Sequence, residues 1–213
     1  MKIKEIFYSI QGEGFWTGRP AVFCRFAGCN LWSGLERDRS SAICKFCDTD
    51  FRDGYSRTED QVAEDVIATW TTETSLSDCA KGNTITAKPF VIFTGGEPGL
   101  QLTGSLIDKL YVSGFFIAVE TNGTIELPTE CNPYWVTMSP KAGTLIKQKR
   151  GHEIKVVWPQ DMDLRALETL DFKYRFLQPM HGHPGSIEDT KNEVLKNPGW
   201  WLSLQTHKIL NVR

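Results

Sequence analysis

Short apolar runs alternate with helix-patterned stretches along the chain. The runs 21–27, 90–93, 116–119, 134–137, 154–157, 174–177 and 201–204 are nearly continuous in apolar content, as strands covered on both faces of a parallel sheet are. Between them, Thr58-Glu59-Asp60-Gln61 has the form of a capping box and precedes Val62, Val66, Ile67 and Trp70 at helical spacing. Leu102, Leu106, Ile107 and Leu110 trace a second apolar stripe, stopped by Gly114. A third helix is expected over about 187–195, ending near Asn197-Pro198-Gly199. Strand and helix alternating in this way predict an α/β fold, a parallel sheet joined by right-handed crossovers.

Polar or glycine-rich punctuation follows strand after strand. The segments are Thr94-Gly95-Gly96-Glu97-Pro98, Glu120-Thr121-Asn122-Gly123, Ser139-Pro140-Lys141, Gln178-Pro179-Met180 and Gln205-Thr206-His207-Lys208. Parallel strands end on one side of their sheet, so these five segments are predicted to converge where α/β proteins place ligands. Five of them imply a large ligand, or two.

Composition narrows the class. The chain has 213 residues, enough for one domain over 1–213 with a substantial core, and 40% hydrophobic with 23% charged residues is ordinary for a globular protein. A formal charge of −2 gives no reason to expect a nucleic acid partner. The run Lys147-Gln148-Lys149-Arg150 reads as a solvated loop. No secretion signal opens the sequence, and no uninterrupted apolar run reaches about eighteen residues, so neither export nor a membrane partner is expected. The expected compartment is the cytoplasm, where thiols stay reduced. Six cysteines there invite a metal or catalytic reading.

Two residues separate Cys44 from Cys47, and fourteen separate Cys44 from Cys29, which lies at the end of the first apolar run. Three thiolates without a nearby fourth suit an iron–sulfur cluster that keeps one iron open, whereas structural zinc takes four closed ligands. A thioredoxin-like redox pair and a zinc site completed by His152, His181, His183 or His207 remain alternatives. Cys24, Cys79 and Cys131 read as structural or incidental.

The cysteine triplet, Thr94-Gly95-Gly96-Glu97-Pro98 beyond it, and Ser139-Pro140-Lys141 further on together resemble the radical S-adenosylmethionine superfamily. Further segments narrow the resemblance to the 7-carboxy-7-deazaguanine synthase family of queuosine and deazapurine biosynthesis. They are Phe7-Tyr8-Ser9-Ile10-Gln11-Gly12-Glu13-Gly14, 23–32, Phe46-Cys47-Asp48-Thr49-Asp50-Phe51, Glu120-Thr121-Asn122-Gly123, Leu177-Gln178-Pro179-Met180 and Leu204-Gln205-Thr206-His207-Lys208. The fourteen-residue spacing departs from the superfamily's shorter one, but a subset of this family carries such an insertion.

The resemblance implies a partial, open TIM-like barrel of parallel strands with crossover helices, the radical SAM core, with an extended cluster loop at about 29–47. It implies a lyase that converts 6-carboxy-5,6,7,8-tetrahydropterin to 7-carboxy-7-deazaguanine with loss of ammonia. Its cofactors would be a [4Fe-4S] cluster, S-adenosyl-L-methionine and Mg²⁺. By position, Cys29, Cys44 and Cys47 hold the cluster and Thr49 the Mg²⁺. Phe46, Asp48, Gly96, Ser139, Pro140, Lys141, Gln178, Pro179, Met180 and His181 form the S-adenosylmethionine pocket. Ile10, Gln11, Gly12, Arg25 and Thr94 contact the pterin, and Arg213 matches a chain-terminal carboxylate that reaches the substrate in relatives. Arg25 is a charge inside an apolar strand, so it reads either as a structural ion pair or as a fork for the substrate carboxylate. A homodimer and a flavodoxin-like reductant are the implied protein partners. The competing functions are an activase making a glycyl radical on a protein, and a zinc-stabilised binding module.

Overall fold

The structure is a computed structural model and describes residues 1–74 and 88–213. Among the described residues, nine strands form one sheet, in the order β3-β1-β2-β4-β5-β6-β7-β8-β9. Seven of them pair in parallel and in chain order: β2 (Pro20–Phe26), β4 (Phe90–Gly95), β5 (Phe116–Thr121), β6 (Trp135–Met138), β7 (Arg150–Trp158), β8 (Asp171–Pro179) and β9 (Trp201–Leu202). Each matches an expected apolar run. Continuous burial is strongest in β4, where Phe90, Val91, Ile92 and Phe93 are all fully buried, as a central strand covered on both faces requires.

Two strands have no counterpart in the sequence reading. β1 (Lys2–Ile10) runs antiparallel to β2, and β3 (Tyr55–Ser56) antiparallel to β1. β1 buries Ile3, Phe7 and Ser9 but begins at Lys2 and carries Lys4 and Glu5 between Ile3 and Phe7, so its apolar content is broken. The sheet is open, with β3 and β9 at its edges.

The capping box closes as the sequence predicts: the Gln61 amide donates to Thr58 Oγ1 at 3.3 Å and the Thr58 amide to Gln61 Oε1 at 3.0 Å. It starts α1 (Glu59–Thr74), which buries Val62, Val66 and Trp70. α2 (Gly104–Val112) buries Leu106, Ile107 and Leu110, is capped by Thr103, and is followed by Gly114 at φ +88°, a conformation glycine adopts without strain. Short α3 (Leu164–Glu168) precedes β8, and short α5 (Thr206–Leu210) follows β9.

α4 (Ser186–Lys196) occupies the expected span. Ile187 and Leu195 are 69% and 75% exposed, and the helix buries Ser186 and Thr190 instead. β9 is shorter than expected. After Leu202 the chain turns inward: the Ser203 amide donates to the Leu177 carbonyl at 2.9 Å and its hydroxyl to Gln178 Oε1 at 3.0 Å. That turn sends the chain toward the sheet's C-terminal edge, where the cavity lies. Cys24 is fully buried in β2, and Cys79 lies outside the described residues. In the basic run, Lys147, Lys149 and Arg150 are exposed, while Gln148 is buried. Among the described residues, no helix is long and apolar enough to cross a membrane.

Candidate active site

The C-terminal ends of the parallel strands open onto a cavity of about 600 Å³. All five punctuation segments reach it, through Thr94, Gly95 and Gly96, Glu120 to Asn122, Ser139 and Lys141, Gln178 and Pro179, and Gln205, His207 and Lys208. Eighteen of the sequence-picked site residues line it: Ile10, Gln11, Gly12, Arg25, Cys29, Cys44, Phe46, Cys47, Asp48, Thr49, Thr94, Gly96, Ser139, Lys141, Gln178, Pro179, His181 and Arg213. Pro140 and Met180 do not. Pro140 is buried. The Met180 amide donates to the Trp158 carbonyl at 2.8 Å and its carbonyl accepts from Ser186 Oγ at 2.8 Å, so its backbone joins the end of β7 to the start of α4.

Two chain segments bring the three sulfurs to one wall. Cys29 follows β2, and its sulfur accepts from the Leu31 amide at 3.4 Å. The insertion is closed at its base, where the amides of Ile43 and Cys44 both donate to the Leu31 carbonyl, at 3.1 and 3.4 Å. This closure returns Cys44 to the neighbourhood of Cys29. The Cys44 and Cys47 thiols hydrogen-bond to each other; that bond, with burial, pushes Cys44 up, while it draws Cys47 down to about 6. The Lys141 amine favours both thiolates. It donates to the Ser139 carbonyl at 2.6 Å and to Ser139 Oγ at 2.9 Å, and stands 6.0 Å from the Phe46 ring centre. The Ser139-Pro140-Lys141 segment thus meets the cysteine loop directly.

Among the described residues, no three His, Cys, Asp or Glu side chains gather tightly enough to hold one ion. The cysteines form an open set of soft donors, which fits an iron–sulfur group better than a single cation. Of the histidines, His181 and His207 line the cavity; His152 instead stacks on Trp135 and accepts from the Val136 amide.

The glycine-rich turn is held by a residue that the sequence left unassigned. Glu97 is fully buried, accepting from Thr121 Oγ1 at 2.7 Å, the Asn122 amide at 2.7 Å and the Gly99 amide at 2.8 Å. A β-carbon on Gly96 would stand 1.9 Å from the Gly28 carbonyl oxygen. The side chain is therefore excluded by the backbone leading into Cys29, a steric reason independent of any ligand.

The opposite wall carries buried charge. Gln11 Nε2 donates to Glu120 Oε1 at 2.9 Å, and Thr94 Oγ1 donates to Glu120 Oε2 at 3.0 Å. Lys155 lies 3.8 Å from Glu120 and is paired with Glu13. Burial opposes the charge on Lys155, but Glu120, Glu13 and Glu153 overcome it and hold the amine above its usual range. Burial likewise opposes the Glu13 carboxylate; Lys155 and Gln205 override it and hold the group at about 2. Glu120, Glu13 and Lys155 were missed as site residues. Their signal was the one that singled out Arg25: Lys155 is a charge inside the apolar run 154–157, which must be paired.

Arg25 donates to Glu5 Oε1 at 2.9 Å, so the structural ion pair is present, while the side chain also lines the cavity. Arg213 pairs with the same carboxylate, and its main-chain oxygen accepts from Ser9 Oγ at 2.6 Å. Lys208 Nζ reaches Asp48 at 2.5 Å, tying α5 to the cysteine loop. Close to α5, a β-carbon on Gly12 would stand 2.2 Å from His207 Nδ1.

An open, mainly parallel α/β sheet with a large cavity at its strand ends, lined by three cysteines together with charged and polar side chains, defines the class: an α/β enzyme with its site at the strand ends. No protein-family model matches the sequence. The chain is 47% identical to 7-carboxy-7-deazaguanine synthase from Burkholderia multivorans, over 99% of this chain and 98% of that one. It is 44% identical to the synthase of the same name from Bradyrhizobium diazoefficiens, over the same shares. The fold matches the crystal structure of QueE from Escherichia coli with a TM-score of 0.67 and 27% identity, covering 96% of this chain and 93% of that one. The chain belongs to the 7-carboxy-7-deazaguanine synthase family.

Two outcomes follow from this geometry. Gly96→Ala forces the turn away from Gly28, at a cost of about 1–3 kcal/mol, read as a fall of several degrees in Tm; an unchanged Tm contradicts the packing. Glu153 is 2% exposed, and burial raises its carboxyl from 4.5 to about 7. For an acid raised in the folded state, the stabilising contribution is full below 4.5 and lost as pH rises through about 7. Glu153→Gln is therefore more stable than wild type at pH 8 by up to about 3 kcal/mol and gains little near pH 5. Urea midpoints at the two pH values check this, and an equal gain at both sinks it.

Proposed function

We infer that this chain converts 6-carboxy-5,6,7,8-tetrahydropterin to 7-carboxy-7-deazaguanine with loss of ammonia, as a radical S-adenosylmethionine lyase of queuosine and 7-deazapurine biosynthesis. The observation that carries this reading is one cavity walled by Cys29, Cys44 and Cys47 on one side and by Gln11, Arg25, Thr94 and Glu120 on the other. The open sheet is the partial barrel of a radical SAM core, within a single domain over 1–213. When bound, the [4Fe-4S] cluster and S-adenosyl-L-methionine supply reductive cleavage of a sulfonium and an adenosyl radical that takes hydrogen from C6 of the pterin.

The chain's own groups bind and orient. Cys29, Cys44 and Cys47 hold the cluster, and the open wall beside them leaves room for an amino acid headgroup. Phe46 and Asp48 flank the adenosine, while Gly96, Ser139, Lys141, Gln178, Pro179 and His181 complete that pocket. Pro140 and Met180 act one step back, setting the backbone of neighbouring residues. Ile10, Gln11, Gly12 and Thr94 position the pterin. The Arg25 guanidinium keeps N–H groups beyond the one given to Glu5, and these fork the substrate carboxylate. The terminal residue, Arg213, closes the same side. Thr49 presents a hard oxygen for Mg²⁺ beside that carboxylate. A homodimer and a flavodoxin-like reductant complete the working enzyme.

Anaerobically reconstituted protein is expected to be brown with about four irons per chain, and to release the deazaguanine product when given reductant, S-adenosylmethionine and the carboxypterin. Each of Cys29→Ser, Cys44→Ser and Cys47→Ser loses the colour and the product. A colourless, zinc-loaded wild type, or an iron-loaded one that leaves the pterin intact, defeats the assignment.

Turnover of metal-stripped enzyme rises on adding Mg²⁺, and Thr49→Ala weakens the response, raising the Mg²⁺ concentration for half-maximal rate by about tenfold. Indifference of the wild type to Mg²⁺ removes that ion from the mechanism.

A further inference from the structure

The fourteen residues between Cys29 and Cys44 contain one side chain that touches both halves of the cysteine loop. Arg39 sits on a short 3-10 stretch of about two turns, Glu36–Ser41. Its Nη1 donates to the Lys45 carbonyl at 2.9 Å and to the Cys47 carbonyl at 3.1 Å. Its Nε meets both oxygens of Glu36 at 2.8 Å. The guanidinium carbon lies 4.1 Å above the centre of the Trp32 ring.

Each contact has a consequence for the sulfurs. The two carbonyls belong to the turn that spans Cys44 and Cys47, so one N–H group fixes the curvature that spaces those thiols. Trp32 stands three residues after Cys29, is buried, and packs edge-on against Phe51, whose carbonyl accepts from the Gly28 amide at 3.0 Å. The plane that Arg39 stacks upon is therefore anchored to the backbone entering Cys29. Glu36 holds the fork in orientation and balances its charge. A planar guanidinium can stack and donate in its plane at once; an ammonium cannot. Nothing in the described pterin or S-adenosylmethionine walls requires Arg39, which does not line the cavity.

We propose that Arg39 is the positioning residue of the cluster loop, joining the segment that carries Cys29 to the turn that carries Cys44 and Cys47, and that the insertion serves as a clamp on the iron–sulfur group. The clamp deepens the cluster assignment and rests on it, so the test includes a readout that needs no iron.

The variants are Arg39→Ala and Arg39→Lys. In reconstituted protein held without oxygen, a ferrous chelator is expected to strip iron from Arg39→Ala about tenfold faster than from wild type or more, with the Tm of the iron-free chain unchanged. Arg39→Lys recovers only part of the retention. In the iron-free protein, a bifunctional thiol reagent is expected to bridge the loop cysteines more slowly in Arg39→Ala. Equal chelation rates, equal bridging rates, full recovery by lysine, or a loss of iron that follows a fall in Tm overturns the clamp. A wild type that takes up no iron defeats the cluster assignment alone, and the bridging comparison then decides the clamp by itself.

Discussion

Parallel pairing in chain order is the constraint on which the rest of the molecule depends. Seven strands aligned this way must end on one side, and every connection must leave from that side and return to the other. The residues that follow the strands therefore have no choice but to face one another across the sheet's C-terminal edge. Glu97 converts this crowding into fixed geometry, bonding the turn after β4 to the end of β5. Gly96 permits the turn to lie against Gly28, one residue before the first cysteine. The position of a sulfur is thus set by hydrogen bonds and a steric gap on three strands at once.

The cavity this builds has two electrostatic poles. On one, Lys141 faces thiols whose charged form it favours. On the other, Lys155 is enclosed by Glu13, Glu120 and Glu153. A buried ion cluster of the second kind contributes little net stability, because desolvation consumes most of the attraction. Its value is orientation. Glu120 is held by Gln11 from the end of β1 and Thr94 from β4, two elements that meet only through β2. A carboxylate fixed from both directions presents a single arrangement to whatever enters, and the ordering cost falls on folding rather than on binding.

The legible part of the sequence was that in which local pattern and tertiary fate agree. Strands buried on both faces announce themselves as apolar runs, and the capping box of α1 lies within four residues. β1 escaped because its charges are answered elsewhere: Glu5 by Arg25 on the next strand, and Lys4 by Asp50 in the cysteine loop. Ile187 and Leu195 in α4 are exposed although apolar, for hydrophobicity identifies a candidate for burial but not the surface that provides it. The cysteines and strand-end segments were legible as a constellation. The contacts that seat them were not, because they join residues far apart in the chain, as the Thr206 amide does on reaching the Gly12 carbonyl at 2.9 Å.

The same distinction explains why a long insertion between Cys29 and Cys44 is tolerated. Loop closure entropy grows only slowly with length, so fourteen residues between two cysteines cost little more than three, provided the ends are pinned. The Leu31 carbonyl pins them, receiving the amides of both Ile43 and Cys44. Once the base is closed, the interior of the loop is free to carry other work, and its packing on Trp32 makes it rigid rather than slack. A short loop would place the sulfurs by its own backbone alone. The longer one adds a second set of bonds from above, so the spacing of the sulfurs is held twice, by the closed base at Leu31 and by the Arg39 contacts with the Lys45 and Cys47 carbonyls.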